Sequence, residues 1–172
     1  MKKNIRFILL FNIAFSCLLL TSCKKEEKFS EIPHITFTSV VPQQNANGIV
    51  ETGELTIHFQ DGDGDLGLDE DDLDPPFDTS SVYYYNFFID YYKKINGEFQ
   101  LLELNGSQNA RFPRLSDKET ESIEGDICIN ILLNTYDLTT TYDTLKLKCH
   151  IVDRKLHKSN EVESGEIIVK KK

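Results

Sequence analysis

Hydrophobic and polar residues alternate one by one along much of this chain. Leu55, Ile57 and Phe59 alternate with polar residues, and the same pattern recurs over residues 123–133 and 144–152. A period of two residues is typical of a β-strand that buries one face, and no longer window shows the apolar stripe of a helix. The pattern therefore predicts an all-β protein.

Turn-forming residues divide this alternation into about seven strands. The predicted strands cover residues 35–42, 54–60, 82–94, 99–104, 123–133, 144–152 and 161–169. Ile95-Asn96-Gly97-Glu98 joins the third strand to the fourth, because Asn-Gly is a strong hairpin signal. Short strands separated by turns are typical of an antiparallel β-sandwich, and we predict one domain of this kind.

The last part of the chain resembles the final hairpin of bacterial immunoglobulin-like and fibronectin type III-like domains. The matching segments are Ile151-Val152-Asp153 and Ser159-Asn160-Glu161-Val162. The resemblance implies an immunoglobulin-like sandwich over residues 32–172, in which the second and third strands correspond to strands B and C. The BC loop and the turn between Asp153 and Asn160, which corresponds to FG, then lie at the same end of the sandwich.

The first 22 residues have the pattern of a secretory signal peptide. Three basic residues precede an apolar run over residues 7–20, which is too short and too early for a stable membrane span. The following Leu20-Thr21-Ser22-Cys23 resembles the lipobox of bacterial lipoproteins. This resemblance implies cleavage after residue 22, acylation of Cys23 and attachment to the membrane through the lipid. The alternative is a secreted protein with an incidental cysteine.

A polar tether, residues 23–31, separates the predicted lipid anchor from the domain. Lys24-Lys25-Glu26-Glu27-Lys28 resembles the charged tag of Bacteroidota lipoproteins that are moved to the cell surface. The resemblance implies an outer-membrane lipid anchor with the domain on the cell surface, and the alternative is a domain that faces the periplasm. As a whole, the chain resembles small Bacteroidota lipoproteins that join a lipobox to one immunoglobulin-like domain, a group from which no activity carries over.

The acidic composition limits the partners of this chain. It has 19 basic and 28 acidic residues and a formal net charge of −9, and three of the basic residues belong to the predicted signal peptide. Such a charge argues against nucleic acid and against an anionic membrane surface as partners. It suits a divalent cation or a basic partner protein.

Two cysteines, Cys128 and Cys149, remain outside the predicted signal peptide and lipid anchor. The alternation puts Cys128 on the polar face of its strand and Cys149 on the apolar face of another strand. A disulfide cannot join two side chains that point to opposite faces of their strands, unless a β-bulge shifts the alternation of one strand by one residue. We therefore predict that these cysteines do not form a disulfide.

The strongest chemical signal is the acidic loop, residues 61–72, with the sequence DGDGDLGLDEDD. Carboxylates occupy positions 1, 3, 5, 9 and 12, which are side-chain ligand positions of an EF-hand loop. The predicted metal ligands are Asp61, Asp63, Asp65, the carbonyl of Gly67, Asp69 and Asp72, with Asp153 of the FG turn completing the shell. Clustered carboxylates supply the hard oxygen ligands that calcium prefers, so the loop predicts a structural calcium ion.

Two positions of the acidic loop depart from the EF-hand pattern. Leu66 stands where the sharp turn usually requires glycine, and Asp72 replaces the usual glutamate. No helix is predicted beside the loop, because the preceding residues alternate as a strand. The loop therefore resembles thrombospondin type 3 and dockerin calcium loops in spacing only. The alternative is a solvated acidic turn that protects a sheet edge.

The third predicted strand is aromatic on both faces. One of them, which we call the aromatic face, carries Tyr84, Phe88 and Tyr92, and the opposite face is expected in the core. The simplest interpretation is a central strand whose second face is partly covered. The alternative is an exposed surface for sugar rings or for a partner protein.

The sequence offers little support for catalysis. The four histidines are scattered, and none of the common nucleophile, zinc-protease or phosphate-loop motifs is present. We therefore predict a non-enzymatic lipoprotein with a calcium-stabilised β-sandwich, which acts as a binding or assembly module of the cell envelope with an envelope protein as partner. The alternative is a glycan-binding accessory lipoprotein that uses the aromatic face.

Overall fold

The fold is a β-sandwich of two antiparallel sheets. The structure, a computed structural model, describes residues 29–117, 121–133 and 143–169. The strands are β1 (His34–Gln44), β2 (Val50–Asp61), β3 (Phe87–Ile95), β4 (Glu98–Leu101), β5 (Ile123–Leu132), β6 (Thr144–Ile151), β7 (Val162–Glu163) and β8 (Ile167–Ile168). Among the described residues, no helix is long and apolar enough to cross a bilayer.

The strand order confirms the predicted all-β antiparallel sandwich. One sheet has the order β1-β2-β5, and the other has the order β4-β3-β6-β7 with β8 also paired to β6. Consecutive strands β2 and β3 therefore lie in opposite sheets, which is consistent with the B and C strands of an immunoglobulin-like sandwich. The described residues form eight strands instead of about seven because the last predicted strand is divided.

The division of that strand has a local cause. Lys148 of β6 pairs with Glu163, whereas Leu145 pairs with Ile167, so the register slips by one residue between β7 and β8. Ser164 lies at the slip, and the Leu147 backbone N–H donates to its hydroxyl oxygen at 2.9 Å. A side-chain hydrogen bond thus replaces part of the strand ladder.

The core lies between the two sheets and is built by the alternating apolar positions. Leu55, Ile57 and Phe59 of β2 are buried, as the alternation predicts. The inward residues of the other sheet in the same cluster are Phe87, Ile89, Tyr91, Leu145, Leu147, Cys149 and Ile151. Burial of each large apolar side chain contributes about 1.5–3 kcal/mol, so packing between the sheets supplies the main stabilisation of the fold.

Cys128 and Cys149 are both free, as the alternation predicts. Cys128 is exposed and pairs with Thr56 across β5 and β2, whereas Cys149 is buried opposite Ile89 in the other sheet. Burial raises the pKa of the Cys149 thiol to about 12, so this thiol is unreactive at neutral pH.

The third strand begins later than the alternation predicts. Residues Val82–Tyr84 form a 3₁₀ turn, and the strand itself starts at Phe87. The turn forms because Ser81 accepts a hydrogen bond from the Tyr83 N–H at 3.1 Å. The predicted strand over residues 82–94 is therefore wrong at its beginning.

The N-terminal end of the described chain lies beside the acidic loop. The predicted signal peptide (1–22), Cys23 and most of the predicted tether (23–31) fall outside the described residues. His34 at the start of β1 pairs with Gln60 near the end of β2. A Cβ atom on Gly62 would lie 2.4 Å from the Phe29 carbonyl oxygen, so the entering chain passes directly over the beginning of the loop.

Candidate metal centre

Three aspartates at the beginning of the acidic loop converge on one point. Asp61 is the last residue of β2, and Asp63 and Asp65 follow it at intervals of two. Each offers a carboxylate oxygen, and these oxygens lie within 4.8 Å of one another. We call these three residues the aspartate cluster.

The aspartate cluster is buried and incompletely hydrogen-bonded. Asp61 is 0% exposed, Asp63 is 8% exposed and Asp65 is 5% exposed. Four carboxylate oxygens have no hydrogen-bond partner: Oδ1 of Asp61, Oδ1 of Asp63 and both oxygens of Asp65. Buried carboxylates in proteins are normally paired or bound to a metal ion, so these oxygens are suited to a cation.

The other two oxygens of the cluster have partners within the protein. The Asp65 backbone N–H donates to Asp61 Oδ2 at 3.2 Å, which folds the loop back on itself. The Lys155 ammonium group donates to Asp63 Oδ2 from the turn after β6. One ammonium group therefore faces three buried carboxylates.

The mutual proximity of the carboxylates makes their ionised forms unfavourable. Burial, and then the charge of Asp63, raises the pKa of Asp61 from 3.8 to about 6. Burial, followed by the charges of Asp153 and Asp63, raises the pKa of Asp65 from 3.8 to about 7. A bound cation would reverse this cost by supplying the missing positive charge.

Asp153 lies beside the aspartate cluster, at the end where the sequence predicts it. Its side chain is buried, and its charge contributes to the raised pKa of both Asp61 and Asp65. The His157 backbone N–H donates to Asp153 Oδ1 at 2.7 Å, and the His157 ring nitrogen lies 2.9 Å from Oδ2. These contacts fix the carboxylate in place.

The aspartates at the far end of the acidic loop bind arginines instead. Both Asp72 oxygens contact the Arg154 guanidinium group, with Nη2 3.0 Å from Oδ1. Asp69 Oδ2 lies 3.7 Å from Arg114 Nη1 and 3.8 Å from Arg154 Nη1. The hydrogen bond from Arg154 holds the pKa of Asp72 below its usual value. Neither Asp69 nor Asp72 belongs to the converging group.

The backbone of the acidic loop does not follow the EF-hand turn. Left-handed conformations occur at Gly64, with φ of 72°, and at Gly67, with φ of 94°. Leu66, where an EF-hand would turn, is fully buried in the core. A Cβ atom on Gly67 would lie 2.2 Å from the Pro113 carbonyl oxygen, so glycine is required there for close packing. The predicted role of the Gly67 carbonyl as a ligand stays a prediction.

Four basic residues around the loop, among them Arg114 near Asp69, were not singled out from the sequence. Besides Arg154 and Lys155, Arg111 donates to the Asp69 carbonyl oxygen at 2.7 Å and to the Asp72 carbonyl oxygen at 3.0 Å. Arg154 and Lys155 directly follow Asp153, so their position in the FG turn was the available signal. The predicted location of the BC and FG loops at one end of the sandwich brings the charges of Arg154 and Lys155 to the acidic loop.

The structure separates the residues of the predicted aromatic face. Phe88 and Tyr92 lie on the outer side of β3, because Phe87, Ile89 and Tyr91 are buried. Phe88 stacks on His150 of β6, with ring centroids 4.8 Å apart and an interplanar angle of 5°.

Tyr84 does not belong to this surface, because it lies in the 3₁₀ turn before β3. The Arg111 guanidinium carbon lies 5.1 Å from the centroid of the Tyr84 ring, and Arg111 Nη1 donates to the Tyr84 carbonyl oxygen at 2.9 Å. The prediction of a row of three aromatic side chains on one strand face is therefore wrong at Tyr84.

Comparison with known proteins gave no match, since no family model fits the chain and neither a curated protein nor a solved structure is significantly similar to it.

Proposed function

We propose that this chain is a lipid-anchored envelope protein whose β-sandwich is stabilised by a calcium ion and acts as a non-catalytic binding or assembly module. The observation that carries the proposal is the set of four buried carboxylate oxygens without partners in the aspartate cluster. The ion would be held by Asp61, Asp63 and Asp65, with Asp153 beside them.

The donor set favours calcium over softer metals. All three converging groups are carboxylates, which are hard oxygen donors, and neither histidine nor cysteine belongs to the group. Zinc sites are usually built from thiolates and imidazoles, whereas calcium takes six to eight oxygens with flexible geometry. Additional oxygens would come from Asp153, from loop carbonyl groups or from water.

The position of the cluster favours a structural role over catalysis. Asp61, Asp63 and Asp65 are all buried residues, so a substrate has little access to their carboxylates. The loop that bears them joins the two sheets, between β2 and β3, and contacts the turn after β6. An ion at this point would stabilise the end of the sandwich at which the N-terminal part of the described chain enters the fold.

The calcium proposal is tested by thermal unfolding of the purified full-length chain in calcium and in EDTA. Calcium should raise the melting temperature, and the shift should disappear in Asp61→Asn, whose amide keeps an acceptor for the Asp65 N–H. Asp71→Asn, an exposed aspartate of the same loop, should retain the shift. A wild-type melting temperature that is the same in calcium and EDTA would overturn the proposal.

The membrane part of the proposal depends on the sequence around Cys23. Stable attachment requires more than one acyl chain, which a lipobox cysteine normally receives. Cells grown with labelled palmitate should therefore incorporate the label into the wild type and not into Cys23→Ser. A wild-type chain without the label would contradict a lipid anchor.

A second candidate is the glycan-binding accessory lipoprotein. Phe88 and Tyr92 are half-buried on the outer side of β3, and His150 stacks on the Phe88 ring. Flat aromatic surfaces pack against sugar rings. Binding on a glycan array that is lost in Tyr92→Ala and retained in Tyr84→Ala would favour this candidate over a protein partner.

A further inference from the structure

A lysine side chain from the turn after β6 reaches into the aspartate cluster. The Lys155 ammonium group contacts Asp63 Oδ2, and its charge opposes the raised pKa of Asp65. The Lys155 side chain is 52% exposed, although the carboxylate that it contacts is largely buried. The ammonium group therefore has a path into water that does not require the carboxylates to move.

The backbone around Lys155 is held by contacts that do not involve its side chain. The Arg154 N–H donates to the Asp65 carbonyl oxygen at 3.3 Å, which joins the turn to the acidic loop. The Asp153 N–H donates to the His157 carbonyl oxygen at 3.2 Å, and the Leu156 N–H donates to the Asp153 carbonyl oxygen at 3.2 Å. Movement of the Lys155 side chain would leave these bonds and Asp153 in place.

One ammonium group is a poor substitute for a metal ion at this position. It supplies a single positive charge and contacts one oxygen, whereas four other oxygens of the cluster have no partner. A divalent ion supplies two charges and binds several oxygens at once. An ion bound among these oxygens would also repel an ammonium group held against Asp63, because like charges at short distance are unfavourable in a buried site.

We propose that Lys155 is the internal counter-ion of the aspartate cluster and that calcium must displace its ammonium group in order to bind. The inference rests on the calcium centre proposed above and adds the residue that sets its affinity. Lys155 stabilises the metal-free protein and weakens calcium binding by competition. The turn after β6 thus contributes both Asp153, beside the cluster, and the competing cation.

Calcium titration of the purified full-length chain tests this competition. Lys155→Met should bind calcium roughly tenfold more tightly than the wild type, which corresponds to about 1.4 kcal/mol. Lys155→Arg keeps the positive charge and should stay close to the wild type. Lys158→Met is the matched control, because Lys158 is equally exposed in the same turn and pairs with Glu161, outside the cluster. Its affinity should be unchanged.

The outcomes of the titration separate the two proposals. Equal or weaker calcium binding by Lys155→Met, with normal binding by the wild type, would overturn the role of Lys155 and leave the calcium centre intact. Binding by Lys155→Met alone would support displacement and overturn calcium binding by the natural chain. Absence of binding in both proteins would overturn both proposals.

Chemical labelling of the wild type provides a second test that needs no substitution. An amine-acylating reagent should label Lys155 faster in calcium than in EDTA, because calcium would release its ammonium group into water. Labelling of Lys158, measured in the same peptides by mass spectrometry, should not change. Slower labelling of Lys155 in calcium, or labelling at an unchanged rate, would overturn the proposed displacement.

Discussion

The two ends of the acidic loop contain the same residue type in opposite environments. The carboxylates of Asp61 and Asp65 are buried, with raised pKa values and unpaired oxygens. Asp72 is bound by Arg154, with a lowered pKa, and Asp69 lies near two arginines. Both ends of the loop place aspartates at side-chain ligand positions of an EF-hand pattern. The environment, and not the spacing, therefore separates aspartates suited to a metal ion from those that already have a cation.

Asp65→Asn should show the largest effect, and its sign should depend on calcium. In EDTA at pH 8 the variant should be more stable than the wild type, because it removes a buried, poorly compensated charge. With calcium at a hundredfold excess over Kd, the wild type should gain about 2.7 kcal/mol that the variant lacks. Urea denaturation measures both values. Equal destabilisation in calcium and in EDTA would contradict a metal ligand.

The pH dependence of stability in EDTA should distinguish the two ends of the loop. The folded-state pKa values of Asp61, about 6, and Asp65, about 7, lie above the ordinary value of 3.8. The folded chain therefore binds more protons than the unfolded chain between pH 4 and 7, and its stability falls as pH rises through this range. The loss should be complete above about pH 7, where both groups are ionised in the folded chain as well.

Asp72 should have the opposite dependence, because its folded-state pKa is lowered. Its contribution should be present above the ordinary pKa and lost only as pH falls below it.

Saturating calcium should abolish the decline in stability that Asp61 and Asp65 cause between pH 4 and 7, because calcium binds the ionised carboxylates. Urea denaturation across this range in EDTA and in calcium provides the comparison, and a flat profile in EDTA would contradict the assignment.

Asp72→Asn should have a smaller effect that does not depend on calcium. It removes a partly exposed ion pair with Arg154, so we expect a loss of about 1 kcal/mol in both calcium and EDTA. A double-mutant cycle with Arg154→Met isolates the coupling between the two side chains. Destabilisation seen only in calcium would place Asp72 in the metal site instead.

The alternation of hydrophobic residues predicted the sandwich because the strands are paired over long, regular stretches. Leu55, Ile57 and Phe59 face the core as a period of two requires. The same pattern was misleading before β3, where Tyr84 follows the strand alternation but lies in a turn stabilised by Ser81 and Arg111. A contact over 27 residues, such as that between Arg111 and Tyr84, leaves no local signal in the sequence.

The sequence predicted the candidate site only in part, again because it shows local patterns and not contacts between distant residues. The close spacing of Asp61, Asp63 and Asp65 is a local property, and the sequence shows it. The partners of the remaining charged residues are distant, since Arg154 meets Asp72 over 82 residues and Lys155 meets Asp63 over 92 residues. The prediction that the BC and FG loops lie at the same end of the sandwich brought Asp153 close to the acidic loop. It did not indicate which aspartates would be bound by arginine or lysine.

Calcium stoichiometry tests the central claim most directly, because it asks which end of the acidic loop holds the ion. Isothermal titration of the purified full-length chain with calcium chloride should give one ion per chain for the wild type and for Asp69→Asn, and none for Asp63→Asn. No binding by the wild type would contradict the account. Binding that persists in Asp63→Asn and disappears in Asp69→Asn would contradict it as well, by placing the ion at the other end of the loop.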